Sequence, residues 1–464
     1  MEGDGLKRNA LGIGDAIIIG LSSSGPAQTM AVSLAGIVAA SGYAGILPIL
    51  ISFIPMLGIA IAYQRLNRWD QSSGATYSWV ARSLNPMLGF LAGWMILLYY
   101  TVGTSSLTIP CGTYTLQLLA PHLVNNNLAV GLVGAAWDIL VTLLALCAIR
   151  VAARFEWMIA IFEYLILGFF ALLGIVWVFT SKTAVPLSAD WFTIKGAGGV
   201  KGLVAGILIA CFMYSGWDAA VYVNEETHNP AVNPGRAAIA SVVILAIFYS
   251  VATFGFQGVL SGQELQANAG NALAVIANRL LPGPWSSVMS LVVLTGTIAS
   301  LQAAVISAAR IGFAMANDRV MPTFFRLTSP RSGSPYAVTI FMGAINLIFL
   351  ALSLFTSGIG SALSNIVSAL GLIALLFYGL TAFTAIWCFR RELHSSLANF
   401  FLGGVLPGVG VIFSVAMIIL SITTGATNTI ILIYGLGSII IGALVALFLR
   451  FTGKTGFFRG EINT

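Results

Sequence analysis

The sequence predicts an all-α integral membrane protein with about twelve transmembrane helices, and three observations predict it. The 464 residues are 58% hydrophobic and only 8% charged, with a mean hydropathy of +0.96. A soluble fold cannot hide that much apolar surface. Apolar runs of about 20 residues, each matching about 30 Å of hydrocarbon, recur from Leu11 almost to Arg450, with no polar stretch long enough for a separate soluble domain. The third observation is the placement of basic residues. With a cytoplasmic N-terminus, the 21 Lys and Arg residues gather at inner loops and ends, and only Lys182, Lys195, Lys201 and Arg279 fall outside. That is the bias that sets membrane topology. Helices are expected rather than a barrel, whose strands alternate polarity over about 10 residues; runs such as Ile46 to Ile51 do not alternate. The net charge of +6 reports orientation and contact with anionic lipid, not nucleic-acid binding.

The expected spans are 11–39, 45–65, 87–119, 128–149, 155–180, 202–226, 237–260, 285–316, 336–356, 361–389, 400–423 and 428–449, all in one membrane domain over 1–464. Span one follows Lys7 and Arg8, but it is longer than a signal-peptide core and runs past a Gly-Pro step without a cleavage site, so it is read as retained. The segment Asn67 to Pro86 is too polar to cross and is expected at the cytoplasmic interface. Ser181 to Lys201, with Trp191 and Phe192, is expected as a short surface helix outside. Cys111, Cys147, Cys211 and Cys388 all lie in apolar segments, as small hydrophobes rather than a disulfide framework. No C-x-x-C spacing exists, and no metal or cofactor is expected. Gly435, Gly437 and Gly442 in the last span do not have phosphate-loop spacing and no Gly-Lys-Ser/Thr follows, so they read as close-packing glycines.

Two of these spans are interrupted. In span one, Ser22-Ser23-Ser24-Gly25-Pro26 breaks an apolar run, and Pro26 is suited to start a second half-helix because the first helical position needs no amide partner. In span six, Tyr214-Ser215-Gly216-Trp217-Asp218 breaks another. Paired broken helices are the best sequence pointer to a transporter's binding site. The half-helix beginning near Ala27 would offer free N–H groups to an anion such as a carboxylate, and the carbonyls ending the preceding half would receive an ammonium or sodium ion. Trp217 is placed to close over a substrate or stack on a cation. Asp218, an ionisable group at membrane depth, is a functional candidate by its cost alone. The competing readings are a plain kink for Ser22 to Pro26, packing for Trp217 and a half-helix cap for Asp218.

Beyond the second break the chain continues through Asn224-Glu225-Glu226-Thr227-His228-Asn229-Pro230. Together with Phe212 to Asp218, this resembles the amino acid-polyamine-organocation superfamily, whose sixth span runs from a similar break into an E-E-T-x-N-P end. Gly74-Ala75-Thr76-Tyr77 with Gly89 to Trp94, and Arg310 through Asn317-Asp318-Arg319-Val320-Met321-Pro322, are similar to further motifs of that superfamily. The resemblance implies a LeuT-like fold: a five-plus-five inverted repeat (11–180 and 202–389), two added helices (400–451), discontinuous helices one and six, and alternating access around a midplane site. It also implies roles in coupling for Asp218 and for Glu163, which falls where some proton-coupled members carry a lysine. Glu163 is then a proton carrier, a cation ligand or the partner of a basic residue; its competing reading is an inner-face carboxylate held by hydrogen bonds. Asp15 is a candidate to join Glu225 and Glu226 in an inner gate, against a hydrated helix-end acid. Tyr99, Tyr100, Thr104, Ser300 and Gln302 are candidate pocket linings, and Asp138 is a costly mid-span acid.

The function expected is secondary active transport of amino acids or related amines across the plasma (inner) membrane, with both termini cytoplasmic, by proton-coupled symport or exchange, sodium being the other coupling ion. No ATP-binding motif is present. A polyamine or biogenic-amine transporter of the same fold is the alternative, and a passive channel or sensor a further one. A channel would line its path with polar or charged rings, which this sequence lacks. An enzyme would need convergent acid-base or metal groups, and His122, His228 and His394 all lie in loops or at span ends.

Overall fold

In the computed structural model the first apolar run is two helices, α1 (Ile13–Ser24) and α2 (Pro26–Ser41), separated by one residue. That residue, Gly25, has φ +53°, the left-handed region that glycine enters without a Cβ penalty. Described are residues 6–459 other than 125, 148, 182–184, 269–270, 355–358, 428–431, 433–436 and 453–455. The end of the ninth expected span, the start of the twelfth, and Gly435 lie outside them.

Helix α3 (Ile46–Trp69) is followed by α4 (Thr76–Ser83), then α5 (Pro86–Leu119), α6 (Asn127–Ala145) and α7 (Ile149–Thr180). The Asn85 and Asn126 side chains accept from the first amides of α5 and α6, as expected of Asn at that position. The second half begins, like the first, with a broken helix: α8 (Gly199–Tyr214) and the short α9 (Ala219–Tyr222). Then come α10 (Asn233–Gln257), the short α11 (Gly262–Ala267) and α12 (Ala272–Leu280), α13 (Trp285–Asn317), α14 (Tyr336–Leu354) and α15 (Ile359–Cys388). A short α16 (Leu397–Phe400) runs through a π turn, Phe401–Val405, into α17 (Leu406–Thr423), and α18 (Ser438–Thr452) ends the bundle.

Among the described residues, nine helices are long and apolar enough to cross a membrane. The interrupted first helix and the shorter apolar helices Tyr336–Ile348 and Ile439–Thr452 account for the rest of the expected spans. The bundle is layered. The apolar window of α13 is 89% buried, whereas that of Leu397–Thr423 is 28% buried, so α13 is interior and α17 peripheral. Leu165, Phe179, Ile412 and Phe451 point outward, a belt that only lipid tails would cover.

Two connecting segments carry buried side chains that tie them to the bundle. Thr76 to Ala81 of α4 are buried against the rest of the protein. Thr76 Oγ1 bonds the hydroxyls of Tyr63 and Thr381, and Tyr77 OH donates to Asp318 Oδ2 at 2.8 Å. Thr76 and Tyr77 are satisfied by distant elements, which is why these polar side chains can sit inside. Residues 185–201 are mostly exposed around a short 3-10 turn (Ala189–Phe192), as expected of a surface helix, and Trp191 is their buried anchor, stacked on Tyr43. In the last span Gly442 has the close-packing role expected, since a Cβ there would lie 2.4 Å from the Trp94 ring.

Candidate functional site

The two helix breaks touch each other. Gly25 N–H donates to the Leu21 and Ser22 carbonyls, closing α1, and Pro26 opens α2. Gly25 also packs against α13, where a Cβ would fall 1.9 Å from Ser300 Oγ. In the second break Gly216 has φ +104°, and a Cβ on it would lie 2.8 Å from the Ser23 carbonyl and the Ser24 nitrogen. Gly216 is thus needed for close approach of two backbones, and Gly25 for close approach to the Ser300 side chain.

Beside this contact is a cavity whose walls include Ser23, Ser24, Ser215, Tyr99, Tyr100 and Ser300, and no charged side chain. Its free volume is about 40 Å³, against roughly 300–1,000 Å³ for ordinary small-molecule pockets. Admitting a solute larger than a few waters requires its walls to separate. Those walls belong to α1, α2, α5, α8, α13 and α15, so both broken helices contribute to them.

Of the residues expected at the substrate, Ser23, Ser24 and Ser215 line the cavity, with Tyr99, Tyr100 and Ser300. Ser22 is buried with its hydroxyl unpartnered, and Ser24 Oγ turns back onto the Gly20 carbonyl at 3.1 Å. Tyr214 donates to Ile49 O at 3.2 Å, away from the cavity. Trp217 lies stacked on Tyr378 and edge-on to Tyr63, fully buried. Thr104 is bonded to Asn346 rather than facing the cavity, and Asn346 in turn donates to Asp138.

Asp218 precedes α9 but makes no side-chain cap there. Its carboxylate accepts from Tyr222 OH at 2.7 Å and Tyr378 OH at 2.8 Å instead. Tyr378 OH also lies 3.3 Å from the Gly216 amide, which ties the acid to the break. Sequence reasoning missed both tyrosines. Tyr222 was findable, since residues four apart share a helical face; Tyr378, 160 residues away, was not.

Glu163 of α7 accepts the Ala27 N–H, the first free amide of α2. The positive end of this half-helix, expected to await an anionic guest, therefore holds a carboxylate of the protein itself. Gly296 of α13 makes room for it: a Cβ there would lie 2.9 Å from Glu163 Oε1.

One end of the bundle is closed beneath the breaks. Ala10 and Leu11 N–H donate to Glu226 O, and His228 N–H returns to Leu11 O. Glu226 is paired with Arg310 of α13, at 3.0 and 3.1 Å through two guanidinium nitrogens, both side chains 1% exposed. Glu225 accepts from Ser73 N–H at 2.7 Å. Asp15 is not with them: it accepts from Gly12 N–H and Trp157 Nε1 at the start of α1. Among the described residues no cluster of three or more His, Cys, Asp or Glu side chains could hold a metal.

A family model for amino acid permeases matches residues 11–445. The large neutral amino acids transporter small subunit 2 of Homo sapiens is 26% identical over 349 residues, 73% of this chain and 62% of that protein. The Asc-type amino acid transporter 1 of Mus musculus is 25% identical over 293 residues, 63% of this chain and 55% of that one. The low-affinity putrescine importer of Escherichia coli (strain K12) is 25% identical over 365 residues, 77% of each. The match thus spans less than two thirds of the length of the two animal transporters.

Proposed function

The chain belongs to the amino acid permease family, and from that premise we propose that it is a secondary active transporter of amino acids or related amines, working by alternating access and coupled to protons or to counter-exchange. The observation that carries this reading is the backbone contact of Gly216 with Ser23 and Ser24 beside a hydroxyl-lined cavity. A cavity whose wall joins two unwound helices changes shape whenever either half-helix tilts, and alternating access needs that. In this proposal 11–180 and 202–389 are the inverted repeats, and 400–451 supplies the added helices. The arginine-rich end, with both termini, faces the cytoplasm, and the membrane is the plasma membrane.

Glu163 is the coupling group of this proposal. A substrate carboxylate seeking the α2 N-terminus competes with Glu163 for Ala27 N–H. Protonation of Glu163 weakens its claim on that amide, because a charged acceptor binds an N–H more strongly than a neutral one. Carboxylate binding and proton uptake then favour one another. The second reading, an amine substrate, has its own support. Glu163 and Asp218 both flank the breaks while no basic side chain lines the cavity, a balance suited to a cation, and one relative is a putrescine importer.

Uptake of labelled neutral amino acids, putrescine and biogenic amines into proteoliposomes, with and without an inward pH gradient, tests both. The amino acid reading expects gradient-stimulated uptake that Glu163→Gln makes insensitive to the gradient. The amine reading expects putrescine uptake that Asp218→Asn removes. Absence of uptake and exchange for every compound would refute transport and favour a channel or sensor on this scaffold.

A further inference from the structure

Two turns from Glu163 on the same face of α7 is a second acid, Glu156, which the transport reading above does not use. It is fully buried, and neither carboxylate oxygen has a hydrogen-bond partner. Around it, Ala152 and Ala153 of α7 pack with Leu11, Val223 and Ile306 into a small apolar cluster at the closed end of the bundle. The charged group within electrostatic reach of Glu156 is the guanidinium of Arg310. That guanidinium is already committed: Nε and one terminal nitrogen go to Glu226, and the other terminal nitrogen lies 3.4 Å from Ile306 O.

The other elements packed on α7 offer Glu156 no substitute. From α1, Asp15 is bonded to Trp157 Nε1 and Gly12 N–H. From α6, Asp138 is bonded to Asn346. Tyr249 of α10 reaches toward Ser24 O, at the level of Glu163, Arg236 of the same helix is exposed, and α2 has no titratable residue. Arg279 of α12 is paired with Glu264. On α7 itself, Arg150 is bonded to the Asn9 and Ala10 carbonyls and Arg154 is exposed. One guanidinium therefore lies within electrostatic reach of two buried acids, and only one of them is bonded to it.

We propose that Glu156 is a proton-binding site, occupied while Arg310 is paired with Glu226 and emptied when that pair separates. An unpaired, unsolvated carboxylate is costly at this depth, whereas a neutral carboxylic acid is tolerable. Opening of this end must move Glu226, because its backbone and Thr227 are clasped to residues 10 and 11. Arg310, left without its partner, then turns to Glu156. The Glu156 O–H bond breaks, the proton leaves for the water entering at that end, and the carboxylate becomes the new counter-ion. Arg310 stays charged throughout, and Glu226, now hydrated, keeps its charge. Opening of the gate is thereby linked to release of one proton, at a site distinct from the helix breaks.

This inference rests on the transport reading for its physiological meaning, so the test has one arm that does not. Infrared spectra of the detergent-solubilised full chain should contain the C=O absorption of a protonated carboxylic acid that Glu156→Gln removes and Asp218→Asn leaves. The same absorption in Glu156→Gln at undiminished intensity would overturn the proposal. So would its loss from the wild type on replacing choline by sodium, since the site would then hold a metal cation. In proteoliposomes, Glu156→Gln should keep exchange of labelled leucine or putrescine while its stimulation by an inward pH gradient falls about fivefold or more. An unchanged gradient response in an actively exchanging variant would overturn the proposal. If the wild type exchanges neither compound, the transport reading fails, and the spectra still decide whether Glu156 binds a proton.

Discussion

Gly216 meets the peptide of Ser23 with no room for a side chain, at a φ of +104° that side chains avoid. Gly216→Ala therefore combines backbone strain with a clash against main chain, which cannot rotate aside. We expect destabilisation by about 2–4 kcal/mol, measured by thermal unfolding in detergent, and loss of transport. Gly25→Ala differs, because its nearest obstacle is the Ser300 hydroxyl, a side chain. Ser300→Ala should recover part of the Gly25→Ala loss and none of the Gly216→Ala loss. Equal rescue of both would show that the breaks are not in backbone contact.

Asp218 is held by two phenols from different elements, Tyr222 and Tyr378. If it is ionised there, each bond is charge-assisted, and Tyr378→Phe should cost about 1.5–3 kcal/mol. In an Asp218→Asn background the same change should cost less, because a neutral acceptor gains less from the phenol. A double-mutant cycle on unfolding measures the difference. A coupling near zero would mean that Asp218 and Tyr378 are neighbours without a mutual hold.

How much of this was legible beforehand depended on the reach of each interaction. The spans were legible because each needs only about 20 apolar residues in succession. The breaks were legible because Ser-Gly-Pro and Ser-Gly-Trp-Asp are local punctuation. The burial of α4 was not legible, because it depends on Tyr63, Thr381 and Asp318, none of which announces itself near residue 76. Glu163 was recognised as a candidate, but its bond to Ala27 spans 136 residues. The contact reverses the expectation of a free α2 N-terminus.

Outside the membrane-spanning segments, Glu264 offers a pH test. Its pKa is lowered to about 2, first by the Ser261 backbone amide and next by Arg279. A depressed acid contributes stability above its unfolded value, near 4.5, and that contribution is lost as pH falls through about 2. Hydrogen exchange of residues 261–268 should thus stay slow down to about pH 4 and quicken as Glu264 is protonated. Glu264→Gln should quicken it already at neutral pH. Being largely exposed, this pair is screened by salt, and transport should be unaffected.

The pair Glu226–Arg310 predicts an asymmetry that one-to-one ion pairs do not give. Arg310→Met leaves two buried acids with no cation, and should cost about 3–5 kcal/mol, the usual penalty for a stranded buried charge. Glu226→Gln leaves Arg310 with Glu156 as its remaining acid, so it should cost distinctly less. Adding Glu156→Gln to Glu226→Gln removes that refuge and should bring the cost up to the Arg310→Met level. Removing Glu226 and Arg310 together, with no charge left stranded, should return stability close to the wild type. The same double variant should open the closed end. With the four native cysteines replaced, Ser23→Cys should react faster with a membrane-impermeant thiol reagent added on the arginine-rich side. Equal costs for Arg310→Met and Glu226→Gln would show that Glu156 takes no part, whereas the predicted order makes it the alternate partner through which the gate and the proton are joined.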